Sequence, residues 1–482
     1  MKKALYPTLA ALTGAAAVSC SCQDEGKKAP EGLPNIVFIL ADDLGWGDLS
    51  CYGQERFSTP NIDSLATHGL RFTQCYSGTT VSAPSRSCLI TGTHSGHTAI
   101  RGNRELDPEG QFPLPEGSQT LFHDLKAAGY ATGAFGKWGL GFIGSSGDPQ
   151  RQGVDRFFGY NCQLLAHSYY PDHLWDNDRR VELATDMPYG EGVYAPDLIH
   201  QEAIRWLREA AGNGEPFFLW YPTTIPHAEL VVPEDSLIRR YRGFFPETPY
   251  QGIDDGPYFR KGGYCSQREP RATFAAMVAR LDAYVGDLIR ELKALGVYEN
   301  TLVIFSSDNG PHREGGADPD FFDSNGPWRG YKRDVYEGGI RVPMIVSWPG
   351  HVSPGGETDF MCSFWDLMPT FRELTGVAST EGLDGVSLLP LLEGREGQRE
   401  HDYLYFEFQE LGGRQAVREG PWKLVHLDIR SEAPRFELYR LDTDPGETTD
   451  LSGSHPDVVA RLQALMAGAH VPNPDFPVLK GE

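Results

Sequence analysis

The sequence predicts an α/β fold: a large, mostly parallel sheet sandwiched by helices, followed by a smaller C-terminal unit with a short antiparallel sheet and a helix. Three observations predict it. Continuous apolar runs rich in β-branched and aromatic residues recur as far as Trp348, the pattern of strands buried on both faces. Helical periodicities fall between those runs, and strand–helix alternation implies a parallel sheet covered on both sides. After Leu392 the pattern changes to short strands in quick succession.

Met1-Lys2-Lys3, an apolar stretch from Ala4 to Val18 and then Ser19-Cys20-Ser21-Cys22 have the layout of an export signal, expected over residues 1–22. The apolar run is short for a membrane-spanning helix. Small residues before Cys20 resemble a bacterial lipoprotein cleavage site, so an anchor on Cys20 or Cys22 is expected; a plain signal peptide is the alternative. Residues 23–33 are polar and rich in Gly, Lys and Pro, suiting a linker. An exported chain of this kind would be periplasmic or an outer-membrane lipoprotein of a Gram-negative bacterium.

The first strand is expected at Asn35 to Leu40, with others at Tyr130 to Phe135, Phe217 to Tyr221, Thr301 to Phe305 and Val342 to Trp348. A helix runs from a Ser118 cap through Leu121, Phe122 and Leu125 to Gly129. Another carries Met277, Leu281, Tyr284, Leu288 and Leu292 on one face and stops at Gly296. These elements make up a domain over 34–394. Residues 395–482 form the C-terminal unit, with strands at Tyr403 to Phe406, Trp422 to Val425 and Phe436 to Leu441. Its last helix has Val458, Leu462, Leu465 and Met466 on one face.

Hydrophobic residues make up 40% of the 482, enough to bury a large core rather than remain disordered. The net charge of -23 excludes nucleic acid as a partner, since a phosphate backbone needs a basic face. An anionic substrate would require basic groups gathered locally. Cys51, Cys75, Cys88, Cys162, Cys265 and Cys362 show no zinc or redox spacing, and read as isolated thiols or one disulfide.

In such a sheet, sites form at the carboxyl ends of strands. Ala41-Asp42-Asp43 and Ser307-Asp308-Asn309-Gly310 each follow a buried strand directly. Adjacent carboxylates repel unless a cation compensates, and this set of hard oxygen donors suits calcium or magnesium. Asp-Asn-Gly alone is usually only a turn. The third element is Ser82-Ala83-Pro84-Ser85-Arg86-Ser87-Cys88-Leu89-Ile90-Thr91-Gly92, which places Ser82 beside a first helical turn that favours negative charge. A capped helix explains Ser and Pro but not Arg86.

These residues resemble the formylglycine-dependent sulfatases, relatives of alkaline phosphatase, whose signature is Cys or Ser, any residue, Pro, Ser, Arg and, after a gap, Thr-x-Gly. The resemblance extends over most of 34–482, through Ala41 to Gly47, Gly136-Lys137-Trp138, Ile225-Pro226-His227, Ser307 to His312, Tyr331 to Pro343, Trp365 to Thr370, and Leu438-Tyr439 through Asp444-Pro445-Gly446-Glu447. It implies an alkaline-phosphatase-like sheet and a Ser82 oxidised to formylglycine by a dedicated serine-type maturation enzyme. The hydrated aldehyde, once sulfated, expels sulfate as its second hydroxyl loses a proton. By the same resemblance Asp42, Asp43, Asp308 and Asn309, with the residue-82 side chain, hold calcium. Arg86 would hold the formylglycine, while Lys137, His227 and Lys332 bind sulfate or protonate the leaving alcohol. One departure is Gly139, where relatives commonly have histidine; His94 or His97 takes that place, or the chain does without it.

Export, many aromatic residues and charged loops fit a carbohydrate sulfate. Candidate sugar contacts are Arg101, Asn103, His167, Tyr170 and Asp172. Relatives of this style imply exo action on galactose or N-acetylgalactosamine 4- or 6-sulfate of mucins or glycosaminoglycans. Two alternatives compete: a phosphatase or phosphodiesterase of the same superfamily using Ser82 with two zinc ions, and a non-catalytic lipoprotein that binds sulfated glycans.

Overall fold

The computed structural model describes residues 32–186, 191–254, 263–377 and 379–482. The expected export signal and residues 23–31 of the linker lie outside them. No helix among the described residues is long and apolar enough to cross a membrane.

The Asn35–Ala41 strand is buried along its whole length. Val37 and Ile39 enter one apolar cluster, Ile36, Phe38 and Leu40 another, so both faces of the sheet need cover. The strand pairs in parallel with Phe217–Pro222 on one side and Thr301–Ser307 on the other. Ala131–Lys137 and Arg156–Tyr160 extend the parallel series. These strands form the centre of a ten-stranded sheet.

Helices Ala195–Gly212 and Pro270–Ala294 cover one face, contributing Ala203, Leu207, Met277, Leu281 and Leu288 to its core. Each such leucine contributes about 1.5–3 kcal/mol by burial. Ser82–Thr91, Leu121–Ala127 and Leu367–Leu374 cover the other face. Pro270–Ala294 starts earlier than the periodic residues alone imply, because Pro270 supplies the first turn and Ala272, Phe274 and Ala275 are also buried. The helix expected from a Ser118 cap begins at Leu121, with Thr120 as its N-cap.

The expected strand at Val342 to Trp348 forms as Met344–Ser347 and runs antiparallel to Thr301–Ser307. The intervening chain is spent at the carboxyl end of the sheet, so the strand re-enters from that end. His173–Asp176 and Arg179–Glu182 add an antiparallel edge that no apolar run announced, since its outer strand is polar.

Leu404–Phe408, Arg414–Glu419, Trp422–Leu427 and Arg435–Arg440 form a separate four-stranded antiparallel sheet. Helix Pro456–Ala469 packs Val458, Leu462 and Met466 on its Leu424 and Leu438 face. On the opposite face Leu404, Phe406 and Val425 share a cluster with Tyr76, Val81, Cys88 and Trp365. The two sheets thus meet at the segment leading into Ser82–Thr91, and Gly32–Glu482 packs as one unit. All six cysteines of the described residues are free thiols.

Candidate active site

The carboxyl ends of the central parallel strands carry the charged residues. Asp42 and Asp43 follow the Asn35–Ala41 strand, Asp308 and Asn309 follow Thr301–Ser307, and Lys137 ends Ala131–Lys137. The loop after Phe217–Pro222 brings in His227. Gly136 makes the convergence possible: at φ 139° a Cβ there would stand 1.9 Å from Pro222 O, so only glycine lets these strands approach just before Lys137.

Ser82 opens its helix, 1% exposed, and its Oγ donates to Asp42 Oδ1 at 3.1 Å. Lys137 Nζ lies 2.7 Å from Asp42 Oδ2 and 3.4 Å from Ser82 Oγ. One helical turn on, fully buried Arg86 donates from Nε and Nη2 to Asp308 Oδ2 at 3.1 and 2.8 Å, and from Nη1 to the carbonyl of Lys137. Asn309 Nδ2 donates to Asp43 Oδ1 at 2.6 Å. Lys332 Nζ lies 2.9 Å from each of Asp43 Oδ2, His227 Nε2 and Glu314 Oε2. His227 donates from Nδ1 to the carbonyl of Ala228, leaving Nε2 to face Lys332.

Burial alone would raise the Asp42 carboxyl, but Lys137, aided by His227 and Arg86, outweighs it and holds the group well below the usual carboxylate range. Burial likewise opposes Lys332 on Asp43, and Lys332 with His227 prevails. Asp308 goes the other way: burial and the neighbouring Asp42 and Asp43 push it up, against Arg86. Three crowded carboxylates, one of them destabilised as an anion, fit a hard divalent cation. The buried Oδ1 of Asn309, which has no hydrogen-bond partner, supplies a neutral oxygen donor to match. Asp42, Asp43 and His227 also place ligand atoms within 4.8 Å of one another.

The structure therefore brings together Asp42, Asp43, Ser82, Arg86, Lys137, His227, Asp308, Asn309 and Lys332. Among the expected sugar contacts, His167 stacks on His227 with ring centroids 5.3 Å apart. Asn103 accepts the Ala83 N–H at 3.1 Å and so stands beside the Ser82 helix. Arg101 corrects its expectation: its guanidinium is buried and spent on Glu407 at 2.7 Å, Thr98 O and Val471 O. Tyr170 packs into the core against Tyr194, and Asp172 lies 2.6 Å from the neighbouring His173 Nδ1. His94 and His97 are also a correction. They join Asp384 beyond Gly92, about 15 Å along the ten-residue helix from Ser82, so neither replaces a side chain at Gly139.

Sequence reasoning missed Glu314 and Arg333. Glu314 accepts from Lys332 and, through its other oxygen, from Arg333. The usable signal was position: Glu314 follows Asp308 to His312 directly, and Arg333 adjoins Lys332.

The chain matches the family model described as Sulfatase over residues 34–377, and the model described as N-sulphoglucosamine sulphohydrolase, C-terminal, over 326–469. It is 32% identical to arylsulfatase A of Homo sapiens, covering 90% of this chain and 87% of that one. It is 30% identical to N-acetylgalactosamine-6-O-sulfatase of Bacteroides thetaiotaomicron, covering 96% and 97%. Among solved structures, Ps i-CgsB in complex with k-i-k-neocarrahexaose superposes with a TM-score of 0.75 at 27% identity, over 91% of this chain and 92% of that one.

Proposed function

This chain belongs to the sulfatase family and is a sulfuric ester hydrolase, and from that premise we propose that it is exported and removes sulfate from a carbohydrate. The preferred substrate is a terminal galactose or N-acetylgalactosamine 4- or 6-sulfate of a mucin or glycosaminoglycan chain. The observation that carries the reading is the convergence of Ser82, Arg86, Lys137, His227 and Lys332 on the Asp42, Asp43, Asp308 and Asn309 cluster. The name of the similar N-acetylgalactosamine-6-O-sulfatase supports a sulfated sugar, and the neocarrahexaose held by Ps i-CgsB supports a saccharide substrate.

Asp42, Asp43, Asp308 and Asn309 would hold calcium, with magnesium as the other hard cation that fits, and residue 82 would complete the set. When bound, the cation would polarise a sulfate oxygen and acidify the nucleophile. Maturation of Ser82 to formylglycine by a serine-type maturation enzyme would supply a hydrated aldehyde there. Arg86 fixes the geometry by clamping Asp308 and the Lys137 carbonyl. Lys137 and Lys332 offer ammonium groups to the sulfate oxygens, the local positive charge that a chain of net charge -23 otherwise lacks. Lys332 keeps its proton: burial would lower it, but Asp43 and Glu314 raise it above its ordinary value. Lys332 and His227 would face the leaving alcohol together, and the Lys332 ammonium, which donates to His227 Nε2 at rest, would be the source of the proton that the alcohol oxygen takes up as the sulfur–oxygen bond breaks. Glu314 and Arg333, at the rim, meet sugar hydroxyls.

A phosphatase with two metal ions is less well supported. Its second ion would use Asp43, His312 and Glu314. Lys332 already lies between Asp43 and Glu314, and both His312 ring nitrogens are engaged, by Pro226 O and by the Glu314 N–H.

The test is mass spectrometry of the Ser82 peptide from the native host, with turnover of a panel of sulfated monosaccharides. Conversion to formylglycine lowers the peptide mass by about two units. An unmodified Ser82 with no sulfate release would favour the glycan-binding lipoprotein instead.

A further inference from the structure

Beyond the Arg156–Tyr160 strand the chain passes Gly139, whose N–H donates to Asn161 O at 3.2 Å, and continues to His167 on His227. Three carboxamides gather on this path. Gln111, Asn161 and Gln163 are 0%, 1% and 2% exposed, as enclosed as Ser82 and Lys137 at 1% each. The Gln163 N–H donates to Gln111 Oε1 at 3.3 Å and so holds the pair together. Yet Gln111 Nε2, Asn161 Oδ1 and both polar atoms of Gln163 have no hydrogen-bond partner. Gln163 lies over Gly139, whose φ of 75° suits glycine; a Cβ there would stand 2.4 Å from Gln163 Nε2. The room that a side chain at 139 would need is filled by this amide.

Buried amides without partners cost stability, and native folds leave few of them. The unpartnered atoms comprise two NH2 donors and two carbonyl acceptors on neutral side chains. Sulfate only accepts and an ammonium only donates, whereas a hydroxyl does both. We propose that Gln111, Asn161 and Gln163 form a hydroxyl-reading subsite beside Lys137, which takes an uncharged hydroxyl of the carbohydrate whose sulfate is being removed. This inference rests on the proposed function.

Gln163→Met, nearly isosteric and apolar, tests it. The melting temperature, kcat/KM on N-acetylgalactosamine 6-sulfate and kcat/KM on p-nitrophenyl sulfate, which has no sugar hydroxyl, are compared with the parent. Expected are a melting temperature no lower than the parent's, a fall on the sugar of about tenfold to a hundredfold, and a clearly smaller fall on the aryl ester. Equal falls on both esters would place the amide at the reacting atoms and overturn the proposal. Unchanged sugar turnover would overturn it too, leaving the amides to bind water only. If Gln163→Met does not fold, Gln111→Leu is judged by the same outcomes. If the parent cleaves another sugar of the sulfated-monosaccharide panel instead, that ester takes the place of N-acetylgalactosamine 6-sulfate; if it cleaves none of them and not the aryl ester, the proposed function fails by itself. The subsite is then read by saturation-transfer NMR of galactose: weaker binding to the variant supports it, and equal binding overturns it.

Discussion

Arg101 and Glu407 meet at 2.7 Å with both side chains buried, so removing the arginine leaves one oxygen of a buried carboxylate without its cation, while Tyr405 and His470 hold the other. Arg101→Ala should cost about 3–5 kcal/mol, seen as a lower melting temperature, with KM unchanged in the folded enzyme. A raised KM at unchanged stability would restore the arginine to the sugar site. Asp48 has an effect of opposite sign. Burial pushes its carboxyl up to about 7, despite hydrogen bonds from Ser324 and the Gly45 N–H, against 3.8 for an ordinary aspartate. The folded state therefore binds the extra proton between those values, and stability falls as pH rises through that window. Asp48→Asn cannot ionise, so its stability relative to the parent should grow by up to about 4 kcal/mol between about pH 4 and pH 8. Parallel melting curves across that range would refute the assignment. At the cation cluster, calcium at about a hundred times its Kd should stabilise a chelator-treated parent by about 2.7 kcal/mol. Asp308→Asn should lose both that increment and turnover; an intact calcium shift would remove Asp308 from the ligands.

At the scale of elements, the close approach of Ala131–Lys137 to Phe217–Pro222 decides where Lys137 points. Gly136→Ala would drive a Cβ into the Pro222 carbonyl, and the strands must separate to admit it. The expected cost is about 1–3 kcal/mol of stability with a loss of kcat, because Lys137 shifts from Asp42 and Ser82. Denaturant midpoints together with single-turnover rates measure both effects. The central strands were legible because Asn35–Ala41 and its parallel neighbours are apolar on both faces. The Arg414–Glu419 strand was not: Arg-Gln-Ala-Val-Arg-Glu buries only its middle. Nor does an apolar run reveal direction, and so Met344–Ser347 was expected as one more strand of a mostly parallel sheet but runs antiparallel.

At the scale of the whole molecule, the small sheet braces the nucleophile helix. Leu404 and Phe406 cover Val81 and Cys88, on either side of Ser82, and the Glu407 N–H donates to Ser95 Oγ at 2.8 Å. Removing 395–482 would expose that cluster, and the shortened chain should be recovered insoluble rather than as a weakly active domain. A soluble product with parental circular dichroism would show that the large sheet stands alone.

The sequence by itself determined the α/β class, the strand-terminal acids and the Ser82 helix, because each lies in a contiguous pattern that local physics reads, whereas Lys137, His227 and Lys332 came only through the resemblance to the family. The sequence also pointed to that family, through the spacing from Ser82 to Gly92. Only the tertiary structure decided which groups near the site are free to act. Arg101 is neutralised by Glu407, which follows it by 306 positions, while Glu314 is drawn in by Lys332 and Arg333. The carboxamide of Gln163 fills the place beside Gly139. Such partners are set by packing across the sheet, and a single sequence carries no local trace of which distant charge or amide will arrive opposite a given side chain.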